Sequence, residues 1–134
     1  MKTKLLFLLT VILVITFFGC KKNPIIGQWS DIIQLSGKEF SFNSSGDSVL
    51  ITANGKWWGV NCVSLDTNRI NIYSSMTDAC NFIYVDNDIR IESKNCNTLF
   101  IKMNANNTYS DRILSIGLSA GDFFDGIKIV QKKK

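Results

Sequence analysis

A chain of 134 residues is long enough for one domain core and too short for two. Its 15 Lys and Arg outweigh its 11 Asp and Glu, but seven of the lysines sit at the two ends, and Asn23 to Gln131 carries a net charge of −3. That balance excludes a nucleic-acid surface, which needs Lys and Arg gathered on one face. Histidine is absent, which removes the usual general base and the commonest zinc ligand. We therefore expect no catalytic site, no metal, no cofactor and no nucleic-acid partner.

In chain order, Lys2 and Lys4 precede an apolar run from Leu5 to Phe18, and Gly19 and Cys20 follow. The run is 14 residues long, whereas a spanning helix needs about 20. Positive, apolar and small-residue segments in that order predict an export signal over residues 1–19. Phe17-Phe18-Gly19-Cys20 resembles the lipobox of bacterial lipoproteins, departing from it at Phe17 and Phe18. The resemblance implies lipid attachment at Cys20, cleavage before it, and a place in the cell envelope as an outer-membrane lipoprotein, on the periplasmic face or the cell surface. Acyl chains there anchor a protein durably, at about 0.8 kcal/mol per buried CH₂. Lys21 and Lys22 would then add attraction to anionic head groups. Residues 20–30 read as the lipidated tether, 31–131 as the domain and 132–134 as a solvated basic tail.

Beyond the tether the chain shows short alternating segments divided by Gly, Asn, Asp and Ser. The predicted strands are Ile32–Leu35, Glu39–Phe42, Ser48–Ala53, Trp57–Val63, Arg69–Tyr73, Asn81–Val85, Ile89–Glu92, Thr98–Met103, Arg112–Leu118 and Phe124–Val130. In the stretch 69–73 the two isoleucines share a face, as do Leu114, Ile116 and Leu118, and also Ile127 and Ile129. Val85-Asp86-Asn87-Asp88-Ile89 reads as a hairpin turn. About ten short strands and no long amphipathic helix predict an all-β sandwich or barrel.

Alternation with Val60 and Cys62 directs Trp58 inward and Trp57 outward. An outward indole is a flat platform for a sugar ring, so Trp57 and Trp58 are candidate glycan contacts, with Tyr73 and Phe123 beside them. Of Phe123 and Phe124, one is expected in the core and the other exposed near a loop tip. Asp86, Asp88, Asp122 and Asp125 read as solvated turn acids, because a glycosidase pair needs a cleft and a set separation. Cys62, Cys80 and Cys96 allow one disulfide in three pairings. Cys80 with Cys96 is the candidate pair, both lying near predicted turns; the alternative is three small buried apolar side chains.

Several segments in sequence order resemble the BACON domain, a Bacteroidetes-associated carbohydrate-binding, often N-terminal module. They are Leu35 to Phe42, Ser45 to Thr52, Asn54-Gly55-Lys56-Trp57-Trp58-Gly59-Val60, Asn106-Asn107-Thr108, and Arg112 opening a strand before Ile127-Lys128-Ile129-Val130-Gln131. The resemblance implies an immunoglobulin-like β-sandwich and a glycan or mucin-type carbohydrate as partner. The segment 66–97 departs from it, lacking a second tryptophan and carrying two cysteines. A spacer or interaction subunit of an envelope protein complex is the alternative role. Ile26-Gly27-Gln28-Trp29 resembles the opening of lipocalin-like lipoproteins, which implies instead a β-barrel carrying a small apolar ligand. Asp47-Ser48-Val49 resembles a bacterial O-glycosylation acceptor, making Ser48 a candidate.

Overall fold

Period-two alternation is realised as nine strands in the computed structural model, which describes residues 30–55, 57–72 and 81–134. They are β1 (Glu39–Phe42), β2 (Asp47–Thr52), β3 (Gly59–Leu65), β4 (Asn68–Ile70), β5 (Phe82–Val85), β6 (Ile89–Lys94), β7 (Thr98–Met103), β8 (Arg112–Ala120) and β9 (Phe123–Gln131). One sheet has the order β1-β9-β8-β3-β4 and the other β2-β7-β6-β5. Every pairing is antiparallel except β1 with β9, which is parallel. Cys20 and the export signal, Lys56, Tyr73 and Cys80 lie outside the described residues.

The two sheets pack face to face as an immunoglobulin-like β-sandwich. From β3, β8 and β9 come Val60, Val63, Leu114, Ile116, Leu118, Ile127 and Ile129, all buried. Ile51, Ile89, Ile91, Leu99, Ile101 and Met103 face them from β2, β6 and β7. Each such side chain contributes about 1.5–3 kcal/mol on leaving water. A lipocalin-like barrel is therefore not the fold. The sheets do not join into a closed cylinder, and the space between them is filled by interdigitated aliphatic side chains, not left as a lumen.

Three predicted strands need correction, the first being Arg69–Tyr73, which ends as β4 at Ile70 with residues 71 and 72 outside any strand. Ile32–Leu35 is not a strand: Leu35 forms one bridge with Ala53. The Asp31 carboxylate accepts the N–H groups of Ile33 and Gln34 at 3.1 and 2.8 Å, and this Asx turn, with Gln34 at φ +54°, bends the segment away from extended geometry. Ser36 then binds the end of β2 (Ser36 N to Thr52 O, 2.8 Å), and the chain crosses to join β9 as β1. Trp57–Val63 begins late, at Gly59, because Trp57 takes φ +64°. A bulge between Val60 and Cys62 also breaks the alternation, so Cys62 is exposed rather than inward and Val63 takes the buried place.

A polar clasp closes one end of the sandwich. Arg112 and Gln131 are cross-strand partners on β8 and β9, and both are buried. The Arg112 Nε and Nη2 donate to Gln131 Oε1 at 3.1 and 2.7 Å. Nη1 donates to Asp88 Oδ1 in the β5–β6 turn at 2.6 Å, and Nη2 to the Asn104 carbonyl at 2.9 Å. Gln131 Nε2 donates onward to the carbonyls of Asn43 and Asn104 at 3.2 and 2.9 Å. Buried Asn106 continues the network to Ser110 and Lys132. The tail is tied here too, with Lys132 N on Phe42 O and Lys134 N on Thr108 O.

Because Arg112 and Gln131 are buried and each makes several hydrogen bonds, removing one partner leaves several groups unsatisfied. Gln131→Leu is expected to cost about 3 kcal/mol in urea unfolding. Arg112→Met with Gln131→Leu should cost at least ~1 kcal/mol less than the two single losses summed, since each single variant strands the other partner.

Among the described residues four carboxylates are held below their usual range, Glu92 by the Lys94 ammonium and then the Arg90 guanidinium. Asp31 is lowered chiefly by the Gln34 N–H, with Lys38 assisting. Asp111 is lowered by the Lys133 N–H and then the Lys132 ammonium. At Asp86, burial pushes upward, but the N–H groups of Ile89 and Asp88 and the Tyr84 hydroxyl outweigh it. A depressed folded-state pKa stabilises above the unfolded value of about 3.9 and stops doing so as pH falls through the folded value. The thermal midpoint should therefore hold from neutral pH to about 5 and drop below about 4, with a shallower drop in Asp86→Asn and Asp111→Asn.

Candidate functional site

The opposite end of the sandwich gathers the β2–β3 loop, the β6–β7 turn and the β8–β9 turn around a groove of about 880 Å³. Its walls are Trp57 and Trp58 on one side and the amides of Asn54, Asn61, Asn95 and Asn97 around them, with Ser119 from β8.

The β2–β3 loop is fixed by its backbone. Ala53 N donates to Asn97 O at 2.8 Å, Asn54 N to Gln34 O at 3.3 Å and Gly55 N to Ile33 O at 3.0 Å. A side chain at Gly55 is excluded, because a Cβ there would fall 1.8 Å from the Ile32 carbonyl oxygen. The chain leaves this anchored glycine and turns back through Trp57 in the left-handed region, which costs a bulky L-residue about 1–2 kcal/mol. Trp57 is 92% exposed. Trp58 packs half-buried against the core, and its indole Nε1 is closed from solvent without a hydrogen-bond partner.

The facing wall is a two-centre turn. Asn97 N donates to Lys94 O at 3.2 Å, and the central residues Asn95 and Cys96 have φ +54° and +56°. Positive φ at both centres is the type I′ pattern that suits a hairpin, and asparagine tolerates it well. Asn95 N is further held by Asn81 Oδ1 at 3.0 Å. Cys96 is half of a disulfide, its other half lying outside the described residues, while Cys62 is free.

The arrangement has a definite chemical character. Among the described residues the lining carries no charged side chain, and no hydrogen bond to a described residue engages the side-chain amides of Asn54, Asn61, Asn95 and Asn97. Each amide offers two donors and an acceptor. Two indoles among unengaged amides suit a ligand with flat C–H faces and many hydroxyls. Among the described residues no group of His, Cys, Asp or Glu could hold a metal ion.

Of the residues singled out from sequence, Trp57 and Trp58 meet in this groove. Phe123 does not line it; it packs against the core from the β8–β9 hairpin, whereas Phe124 is 68% exposed. Ser48 is exposed on β2, at the far end of that strand, its N–H held by the Asp47 carboxylate at 2.8 Å. The four asparagines were not singled out. Asn54 and Asn95–Asn97 were legible only as turn residues, and no sequence spacing shows that separate loops meet.

Three outcomes check this geometry. Trp57→Gly should fold about 1 kcal/mol more stably than Trp57→Ala in urea, because glycine takes positive φ without strain. Peptide mapping should recover Cys96 joined to Cys80 and Cys62 alkylated without reduction; Cys96→Ser should cost about 2–4 kcal/mol.

No protein-family model matches the chain, and no curated protein matches it. Its fold is similar to the solution NMR structure of a protein from Bacteroides thetaiotaomicron, with a TM-score of 0.65 at 19% identity over 87% of this chain and 98% of that one. At that identity the likeness is one of fold.

Proposed function

We propose that this chain is a non-catalytic envelope lipoprotein, anchored through Cys20, whose sandwich binds carbohydrate in the groove beside Trp57. The observation that supports this reading most is Trp57 itself. It is a large apolar side chain left in water, on a backbone angle that is strained for a bulky side chain. Neither feature stabilises the fold, and strain held at a cleft is a signature of function. The unengaged amides around it can pair with hydroxyl groups on either side of a ring stacked on the indole. The order of segments resembling the BACON domain points the same way. Loops at one end of an immunoglobulin-like sandwich are a familiar place for recognition, which is a fold-level analogy.

On a glycan array the wild-type protein should bind at least one neutral oligosaccharide with micromolar-to-millimolar affinity. Trp57→Ala should weaken that binding by roughly tenfold or more, about 1.4 kcal/mol. Binding indifferent to the change, or no glycan bound at all, would reject the reading. Mass spectrometry of the mature protein should find acyl chains on Cys20.

A second reading is favoured by the outer face of the four-stranded sheet. Leu50, Ile83 and Val85 are 62%, 53% and 57% exposed there; Leu50 pairs with half-buried Phe100, which reaches Ile83 through Glu92, while Val85 pairs with Arg90. This is the surface a subunit of an envelope protein complex would use. Crosslinking in intact cells from position 83 should capture a partner protein if that role holds.

A further inference from the structure

We infer that the groove faces the bilayer and that its occupant is the sugar headgroup of a glycolipid in the leaflet holding the anchor. This rests on the glycan-binding reading and on lipid attachment at Cys20. It follows from where the chain enters the domain.

The first described residues lie against the rim of the groove. The Ile32 carbonyl packs on Gly55, Gly55 N binds Ile33 O, and Asn54 N binds Gln34 O. Asn54 and Gly55 both line the groove. From Cys20 to Ser30 is ten residues, which reach at most about 35 Å when fully extended. The nine-residue strands β8 and β9 each span about 30 Å. A tether joined at the groove end therefore has to spend nearly its whole reach on the domain's length before the clasp end could touch the membrane first. The groove end needs none of it.

The surface around the groove fits a membrane-facing position. Trp57 is 92%, Phe124 68% and Ile32 41% exposed. Phe124 is the cross-strand partner of Ser119, which lines the groove. Tryptophan with flanking apolar side chains is the composition that settles at the headgroup level. The C-terminal lysines are held at the other end, Lys132 through Phe42 O and an ion pair to Asp111 at 3.2 Å. They therefore do not compete with Lys21 and Lys22 for the bilayer. A soluble polysaccharide would have to enter between groove and membrane, whereas a headgroup meets the groove directly. Confinement to one surface also raises its effective concentration.

The test uses the full lipidated protein in vesicles of phosphatidylethanolamine and phosphatidylglycerol with increasing lipopolysaccharide, followed by tryptophan emission. A saturable change is expected, shifted roughly tenfold to higher lipopolysaccharide in Trp57→Gly. It should weaken severalfold when about twenty Gly and Ser residues are inserted after Asn23. A response indifferent to Trp57→Gly overturns the inference. So does binding only to the polysaccharide released from its lipid by mild acid, which leaves the glycan reading standing. No response to either form, together with an empty glycan array, overturns both.

Discussion

The buried Arg112–Gln131 pair is the constraint on which the rest of this sandwich depends. A guanidinium cannot be left in an apolar interior without partners. Here its N–H groups are aimed at a glutamine across the strand pair, at Asp88 in the opposite sheet's turn, and at the Asn104 carbonyl. One cation thus fixes the register of β8 against β9 and ties both to the sheet formed by β2, β7, β6 and β5. Gln131 extends the bond set to Asn43, where β1 ends. Hydrophobic packing brings the two sheets together without specifying how they are offset. The clasp does specify it, because its directional bonds close in only one alignment.

Closing one end in this way leaves the other free to vary. At the groove end the loops are held by backbone bonds between neighbours, such as Ala53 to Asn97 and Gly55 to Ile33, and by the disulfide at Cys96. The side chains of Trp57, Asn54, Asn95 and Asn97 are consequently not what holds the loops in place. Several residues there, Trp57, Asn95 and Cys96, sit at positive φ. The core and the clasp supply the stability that carries this local strain.

The strands were legible because their pattern is local. Thr98–Met103 alternates inward Leu99, Ile101 and Met103 with half-buried or exposed residues, and it lies where the alternation places it. The failures share a physical cause. Ile32–Leu35 has strand-forming residues, but the Asp31 carboxylate offers their backbone a turn instead. Cys62 was expected inward because alternation was carried through Val60, and a single bulged residue reverses every side chain beyond it. Trp57 was expected outward as a strand residue; it points outward from a left-handed turn.

The sequence by itself determined the all-β class, most strand positions, the outward Trp57 and the acidic balance of the domain, because each follows from neighbours in the chain. Only tertiary structure decided sandwich over barrel, the joining of Arg112 to Gln131 and Asp88, and the meeting of Asn54, Asn95 and Asn97 with the two tryptophans. Those depend on contacts between residues dozens of positions apart, whose alignment is set by packing and buried hydrogen bonds rather than by local pattern. The groove is the clearest case: Asn54, Asn95 and Asn97 are ordinary turn residues in sequence, and they join the two tryptophans as a site only where three loops meet at one end of the fold.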